Sequence, residues 1–400
     1  VNANREAALA VAQGLRAAGH SAWFVGGGVR DRLLGLEAKD HDLATDARPE
    51  VVAAIFPQAR LVGASFGVTL VPMGEERIEV ATFRRDGAYL DHRHPESVAY
   101  GSMEDDAARR DFTVNALFEH PETGDICDFH GGLADLRARR LRCVGDPRRR
   151  FREDALRLLR AVRFAARLGF EIEQETWLAM RELAPTIDYV SPERQRDELT
   201  AMFTGPDPRR ALELLDGALL LPIILPEIDA MHGVEQRKRI HPKGDVFVHT
   251  ALVLHHVEPR SAINAWAALL HDVGKPPTFA RDPETGKITF YGHQKVGAVM
   301  AREILERFKA SREVIDTVAG VVARHMDFMN VTRMNRATLR RFLGAPTIEH
   351  DLAVHRADCL GSWGKLDSWE FCRTALEQLK AEEGAAVPPP LVTGHDVMAL

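Results

Sequence analysis

Gly26-Gly27-Gly28 is followed by two aspartates, Asp40 and Asp42, spaced one residue apart in KDHDLAT. No other segment limits the possible folds of this chain so tightly. In an extended segment alternate residues share a face, so both carboxylates point the same way. Like charges that close are costly unless something positive bridges them. A pair of divalent ions is the usual solution, and it supports phosphoryl-transfer chemistry. Consecutive glycines let backbone N–H groups approach a phosphate, and the helix that follows adds positive potential at its N-terminus. Arg30 can add a bidentate clamp. Taken singly, the glycines also fit a tight turn and the aspartates a solvated strand face. RIEVATFR supplies a third carboxylate, Glu79, on what period-two alternation makes a strand with Ile78 and Val80 turned to the core.

The surrounding pattern predicts a small mixed α/β unit. Residues 4–19 read as a helix, SAWFVGG as a strand, VRDRLLG as a helix stopped by Gly35, and KDHDLAT as a second strand. GASFGVTLVPM and RIEVATFR are rich in Val, Ile and Thr and read as two more strands. Residues 87–106 lack periodicity and are expected to form a mobile loop, after which RRDFTVNALFEH switches to helix. From 152 to about 230, and again from 241 to 373, the pattern is helical, with a Gly/Pro-rich loop at 273–292.

The 400 residues allow two to four domains. No apolar run is long enough to span a bilayer, and the N-terminus lacks a signal core, so no membrane role is expected. The four cysteines form no CxxC pair, which fits a reducing cytoplasm and argues against a zinc-thiolate site. Net charge is −6, yet arginines cluster at 109–110, 137–142, 148–152 and 157–167, so a local positive face can still take a polyanion.

GGGVRDRLLG…KDHDLAT, with RRDFTVNAL, DFHGGLADLRARRLRCVGDP, EDALRLLRAVRFAARLGF and SPERQRDEL, resembles the bacterial class II tRNA nucleotidyltransferase and poly(A) polymerase family over roughly residues 20–200. The resemblance implies an α+β fold: a polymerase-beta-like mixed-sheet nucleotidyltransferase head (1–150), followed by an all-helical neck and body that bind nucleotide and RNA (151–235). It implies that Asp40 and Asp42 hold Mg2+, with Glu79 as the third catalytic carboxylate. Nucleotide binding would fall to Gly27, Gly28, Arg30, Arg110, Asp111 and Asn115. Asp128, Gly131 and Gly132 match the segment thought to order the move between head and neck. EDALR matches the family's base-selecting template, Glu153, Asp154 and Arg157, with Arg160 stacking or clamping nearby. Asp154 and Arg157, expected one helical step apart on one face, can read the Watson–Crick edge of C or A; alone, such a pair also fits an i,i+3 salt bridge. The implied activity is addition of C, C and A to the tRNA 3′ end and acceptor stem from CTP and ATP. The alternatives are A-only addition and poly(A) synthesis. PPPLVTGHDVMAL resembles the start of a family tail segment that continues beyond Leu400 (376–400).

A second pattern, H…HD…D, places His249, His271, Asp272 and Asp358 in FVHTALVLHHV, AALLHDVGKP and LAVHRADCLGS. Imidazole and carboxylate in this mixture suit a borderline divalent metal. Residues 236–375 resemble the HD phosphohydrolase superfamily. That likeness implies a transition metal (Ni2+, Mn2+ or Co2+), a second metal at His293 and His325, and a phosphate contact from Lys275. It also keeps open a reading of another class, an HD phosphohydrolase whose head is an RNA-binding adaptor.

Overall fold

The computed structural model describes residues 3–38, 40–62, 67–87, 97–236 and 245–383. The chain divides into two compact units, Val1–Val190 and Ser191–Leu400. In the first unit α1 (Ala3–Ala17), β1 (Ala22–Val25), α2 (Gly27–Leu33), β2 (Asp42–Thr45) and α3 (Pro49–Ile55) are followed by β3 (Arg60–Val62), β4 (Val68–Met73) and β5 (Glu76–Thr82). Next come β6 (Arg84–Asp86), β7 (Val98–Tyr100), α4 (Met103–Ala108), β8 (Leu117–Glu119), β9 (Ile126–Asp128) and α5 (Gly132–Arg137). The unit ends with β10 (Arg140–Leu141), α6 (Pro147–Glu153), α7 (Leu156–Leu168), β11 (Glu171–Ile172) and α8 (Gln174–Leu183).

Seven strands form one mixed sheet in the order β3-β4-β5-β2-β1-β8-β9. Among the described residues only β2 and β5 pair in parallel within it, with Leu43 opposite Val80. Along β5 the alternation is strict: Ile78 and Val80 are buried while Glu79 is exposed. Val25, Ala44, Phe83, Ala107 and Phe118 close one face of the sheet.

Several expectations are corrected. The second strand begins at Asp42, so Asp40 lies just before it. RRDFTVNALFEH forms a 3-10 turn at Thr113–Asn115 and then β8. Residues 112–119 are buried throughout, so this run has no polar face on which a surface helix could be built. The expected loop at 87–106 contains β7, paired with β6, and α4, whose Ser102 and Asp105 form a reciprocal capping box. Residues 88–96 of that loop and 384–400 of the expected tail lie outside the described residues. The long helix expected from Glu153 is broken: Asp154 is extended, with φ −145° and ψ 106°, between α6 and α7. Asp154 and Arg157 therefore do not share a helical face. The Asp154 carboxylate accepts from Leu156 N at 3.1 Å, an Asx-type bond that competes with helical geometry.

The second unit is helical: α9 (Pro192–Phe203), α10 (Pro208–Gly217), α11 (Leu221–Ile224), α12 (Pro226–Asp229), α13 (Val246–His256), α14 (Ala262–Leu270) and α15 (Lys275–Thr278). A short hairpin, β12 (Ala280–Arg281) and β13 (Ile288–Thr289), occupies the Gly/Pro-rich stretch. Then follow α16 (His293–Arg307), α17 (Arg312–Arg324), a 3-10 stretch at His325–Arg333, α18 (Arg336–Leu343), α19 (Ile348–Gly361) and α20 (Asp367–Glu383). Ser191 precedes α9 at the N-cap position without a side-chain cap bond, and Glu193 pairs with Lys309 at 2.8 Å. Among the described residues no helix is long and apolar enough to cross a membrane.

Phe112 and Phe164, both buried, meet edge to face at 5.9 Å and tie the RRD segment to α7. Phe112→Ala should cost the first unit about 3–5 kcal/mol, the range for deleting a fully buried aromatic. Urea unfolding measures it; a midpoint equal to that of the unsubstituted protein would show that this contact contributes nothing.

Candidate active site and candidate metal centre

The parallel register sets Asp42, one residue before Leu43, beside Glu79, one residue before Val80. Both sit on the face opposite those buried neighbours. Asp42 is half-buried; Asp40 and Glu79 are exposed. Burial, then Glu79, then Asp40 push the Asp42 carboxyl up to about 6, with Arg110 opposing. Glu79 and Asp40 thus outweigh Arg110 at Asp42, and the oxygen donors of the three carboxylates suit a hard divalent cation. Gly26 turns the chain with φ +72° and α2 starts at Gly27. A Cβ at Gly28 would stand 2.6 Å from the Asp40 carbonyl oxygen, so only glycine lets this turn approach the aspartate segment.

Arg30 departs from the expected phosphate clamp. It is 1% exposed, and its guanidinium donates to Asp31 Oδ1 (2.8 and 2.6 Å) and to Asn115 Oδ1 (2.6 Å). Its donors are thus engaged by Asp31 and Asn115. Asn115 donates in turn to Asp111 Oδ1 at 3.1 Å, and Arg160 holds Asp111 Oδ2 at 2.8 and 2.7 Å. The guanidiniums of Arg30, Arg160 and Arg163 lie over the Phe164 ring at 4.9, 5.2 and 4.3 Å. Arg110 is anchored by the fully buried Asp106 at 2.9 Å, which also takes Arg109. Arg157 is buried; it donates to Glu153 (2.9 Å) and to the carbonyls of Arg150 and Arg109 (both 3.0 Å). Asp128 accepts from the backbone of His130, Gly132 and Leu133, which fixes the glycine turn ahead of α5. Sequence reasoning missed Asp106 and Asp135. The latter is fully buried and takes Arg140 and Arg142 at 2.6 and 2.8 Å. Nothing in the local text separates them from surface acids.

In the second unit four histidines face one carboxylate, Asp272, and a second aspartate, Asp358, joins through His249. Asp272 Oδ2 is 3.1 Å from His271 Nε2 and 3.6 Å from His249 Nε2, and His249 is 3.1 Å from Asp358 Oδ1. Asp272 Oδ1 faces His293 at 3.5 Å and His325 at 3.7 Å. Helix ends do the positioning. His271 and His325 follow the last turns of α14 and α17, and His293 opens α16 after Gly292. A Cβ at Gly274 would stand 2.1 Å from the His293 carbonyl oxygen, so glycine allows the His271-Asp272 turn to meet α16.

The donor set fits metal ions. His271, His293 and His325 each turn Nδ1 to a backbone carbonyl at 2.8, 2.8 and 2.7 Å, which leaves Nε2 as the ligand atom. Burial lowers His293 and takes His325 to about 4, so both rings are neutral. Their Nε2 atoms nevertheless face each other at 3.1 Å, two lone pairs that call for a cation between them. Burial works against charge on His271, but Asp272 raises its pKa. Lys275 Nζ sits 2.6 Å from Asp272 Oδ2 and 2.7 Å from Gln236 Oε1, so it rests on the central carboxylate. His355 stacks on Phe328 at 4.0 Å and also lines the cavity above the cage.

A mixed sheet bearing grouped carboxylates beside a glycine turn defines the nucleotidyltransferase class, here joined to an HD-type metal-binding domain. Comparison with known proteins agrees. Residues 22–142 match the "Poly A polymerase head domain", 169–231 the "Probable RNA and SrmB- binding site of polymerase A", and 246–362 the "HD domain". The A-adding tRNA nucleotidyltransferase of Deinococcus radiodurans is 36% identical over 391 residues, 94% of this chain and 86% of that protein. The CCA-adding enzyme of Geobacillus stearothermophilus is 46% identical over 209 residues, and the match spans about half (52%) of each chain. The crystal structure of the Bacillus stearothermophilus CCA-adding enzyme in complex with CTP superposes with a TM-score of 0.75 at 28% identity, covering 100% of this chain and 88% of that one. The chain belongs to the class II CCA-adding enzyme and poly(A) polymerase family, with an HD domain.

Burial pushes the Asp111 carboxyl up, but Arg160 and Asn115 hold it down at about 2. A depressed carboxylate stabilises the fold above its unfolded pKa, and the contribution is lost as pH falls through the folded value. Asp111→Asn should therefore cost about 2 kcal/mol at neutral pH. The gap from the unsubstituted protein should stay flat from pH 8 to 5 and narrow below pH 3.8. Denaturant titrations at pH 7, 5 and 3.5 check it, and a gap that widens on acidification would contradict the pairing.

Proposed function

We propose that the head adds C, C and A, from CTP and ATP, to the 3′ end of tRNA, which it takes up at the acceptor stem. The observation that carries this reading is the carboxylate group itself: Asp42, raised to about 6 beside Glu79 and Asp40, at a glycine turn too tight for any side chain at Gly28. In this reading Asp40 and Asp42 hold Mg2+ and Glu79 is the third catalytic carboxylate. Bound there, magnesium would neutralise charge on the transferring phosphate. The acceptor 3′ oxygen bonds to the α-phosphorus, and the bond to pyrophosphate breaks. Gly27, Gly28, Arg110, Asp111 and Asn115 receive the nucleotide, with Arg30 positioning Asn115 from behind. Asp154, in the α6–α7 break, and Arg157, in the first turn of α7, read the base, and Glu153 fixes the arginine. The division of labour is a head at 1–150, a nucleotide- and RNA-binding neck and body at 151–235, an HD domain at 236–375 and a tail beginning at 376.

A-only addition is the second reading, and one finding favours it: the A-adding relative matches 94% of this chain, whereas the CCA-adding relative above matches about half. Incubation with tRNA ending before CCA, with CTP alone and with CTP plus ATP, separates the two. Incorporation of CMP removes the A-only reading. Incorporation confined to AMP on an acceptor already ending in CC removes full CCA addition. Asp42→Ala should lower incorporation by about 1000-fold or more, because several kcal/mol of charge stabilisation is lost while tRNA binding survives. Retained incorporation would overturn the head assignment.

For the helical unit we propose a phosphohydrolase acting on phosphomonoesters or 2′,3′-cyclic phosphates. Its ligands would be His249, His271, Asp272 and Asp358, with His293 and His325 completing a second position, and the mixed donors favour nickel, manganese or cobalt. Asp272→Ala should strip the bound transition metal, as read by elemental analysis, and end hydrolysis while nucleotide incorporation continues. Metal retained at full stoichiometry would refute the bridging role of Asp272.

A further inference from the structure

Above the His/Asp cage opens a cavity of about 520 Å3. That is within the range of small-molecule sites and large enough for a nucleotide. Asp272, His293, His325 and Asp358 reach its wall from the cage, and Lys275 and Lys365 add positive charge. Its other wall residues include Tyr291, Met329 and Trp363, which are 81%, 71% and 55% exposed. Three large side chains this exposed at one cavity offer apolar surface that a ligand in it could cover.

Each of the three is tied to a metal-type ligand by a short stretch of chain. Tyr291 lies between Phe290, whose carbonyl orients His293 Nδ1 at 2.8 Å, and His293 itself. Met329 comes four residues after His325 in the same 3-10 stretch. Trp363 comes five residues after Asp358, just past the end of α19. The rim therefore lies within five residues of the cage ligands along the chain. The cage and the two lysines suit a phosphate; the aromatic and thioether rim suits a flat apolar group on the same molecule. A nucleoside phosphate has both ends, whereas a small phosphate ester has only the first.

Resting on the phosphohydrolase reading above, we propose that Tyr291, Met329 and Trp363 form a base-stacking subsite that makes the HD cage select nucleoside phosphates, such as an RNA 3′ end, over small phosphate esters. Base–aromatic stacking is sequence-tolerant and strong enough to change affinity by about tenfold or more per base.

The test is calorimetric titration of the Mn2+-loaded full chain with the non-hydrolysable 3′-phosphonate analogue of adenosine 3′-monophosphate and with inorganic phosphate. The same titration of Asp272→Ala measures what the head alone takes up, and this is subtracted. The nucleotide is expected to bind at least about tenfold more tightly than phosphate. The double variant Tyr291→Ala/Trp363→Ala should bring the nucleotide down to the affinity of phosphate and leave phosphate binding unchanged, while Trp363→Phe should restore most of the preference. Equal affinities in the unsubstituted protein, or a preference that survives the double variant, would overturn the subsite while leaving the cage intact. That is also the outcome if the rim serves a protein partner. Failure to retain Mn2+ or bind either ligand would bring down the cage reading and this proposal with it.

Discussion

Holding Asp42 beside Glu79 without a bridging cation is unfavourable, and the rest of the first unit is arranged so that the two cannot drift apart. Among the described residues β2 and β5 are the one parallel pair in a seven-stranded sheet. On their inner face Leu43, Ile78 and Val80 are buried, so a slip of one residue would turn those side chains to water and the carboxylates to the core. The glycine turn leans on the Asp40 carbonyl from the other side. Hydrophobic burial on one face thus holds electrostatic repulsion on the other.

The arginines follow a related logic. Their clusters suggest a basic surface for RNA, yet many are committed inside the unit. Asp106 takes Arg109 and Arg110, Asp135 takes Arg140 and Arg142, and Glu153 takes Arg149, Arg150 and Arg157. Removing one of these acids would leave unpaired charge in a desolvated setting. The acids therefore aim the guanidiniums as well as neutralise them.

What could be read from the sequence was mostly local. The alternation in ERIEVAT turns Glu79 outward without knowledge of the sheet, and the H…HD…D text names residues that the helix ends do bring together. What could not be read depends on neighbours distant in the chain. Leu117–Glu119 looks helical until strands on both sides bury it. Asp154 looks like a helical residue until its own carboxylate bonds to Leu156 N. Arg30 looks like a clamp because Asn115, 85 positions away, is absent from its local text. Ser102-x-x-Asp105 carries a readable capping box although the stretch lacks periodicity. Gln236 and the aromatic rim have no local signal; only the fold gathers them.

Asp272 has a further consequence. It is 2% exposed, and its two oxygens face different histidine pairs, so the two halves of the cage share one negative charge. The cage contributes two carboxylates, Asp272 and Asp358, partly offset by Lys275. Two divalent ions would more than neutralise it and leave a buried positive excess. On the phosphohydrolase reading proposed above, such a pocket would hold the phosphate that leaves as strongly as the ester that enters, and departure of phosphate would then limit turnover.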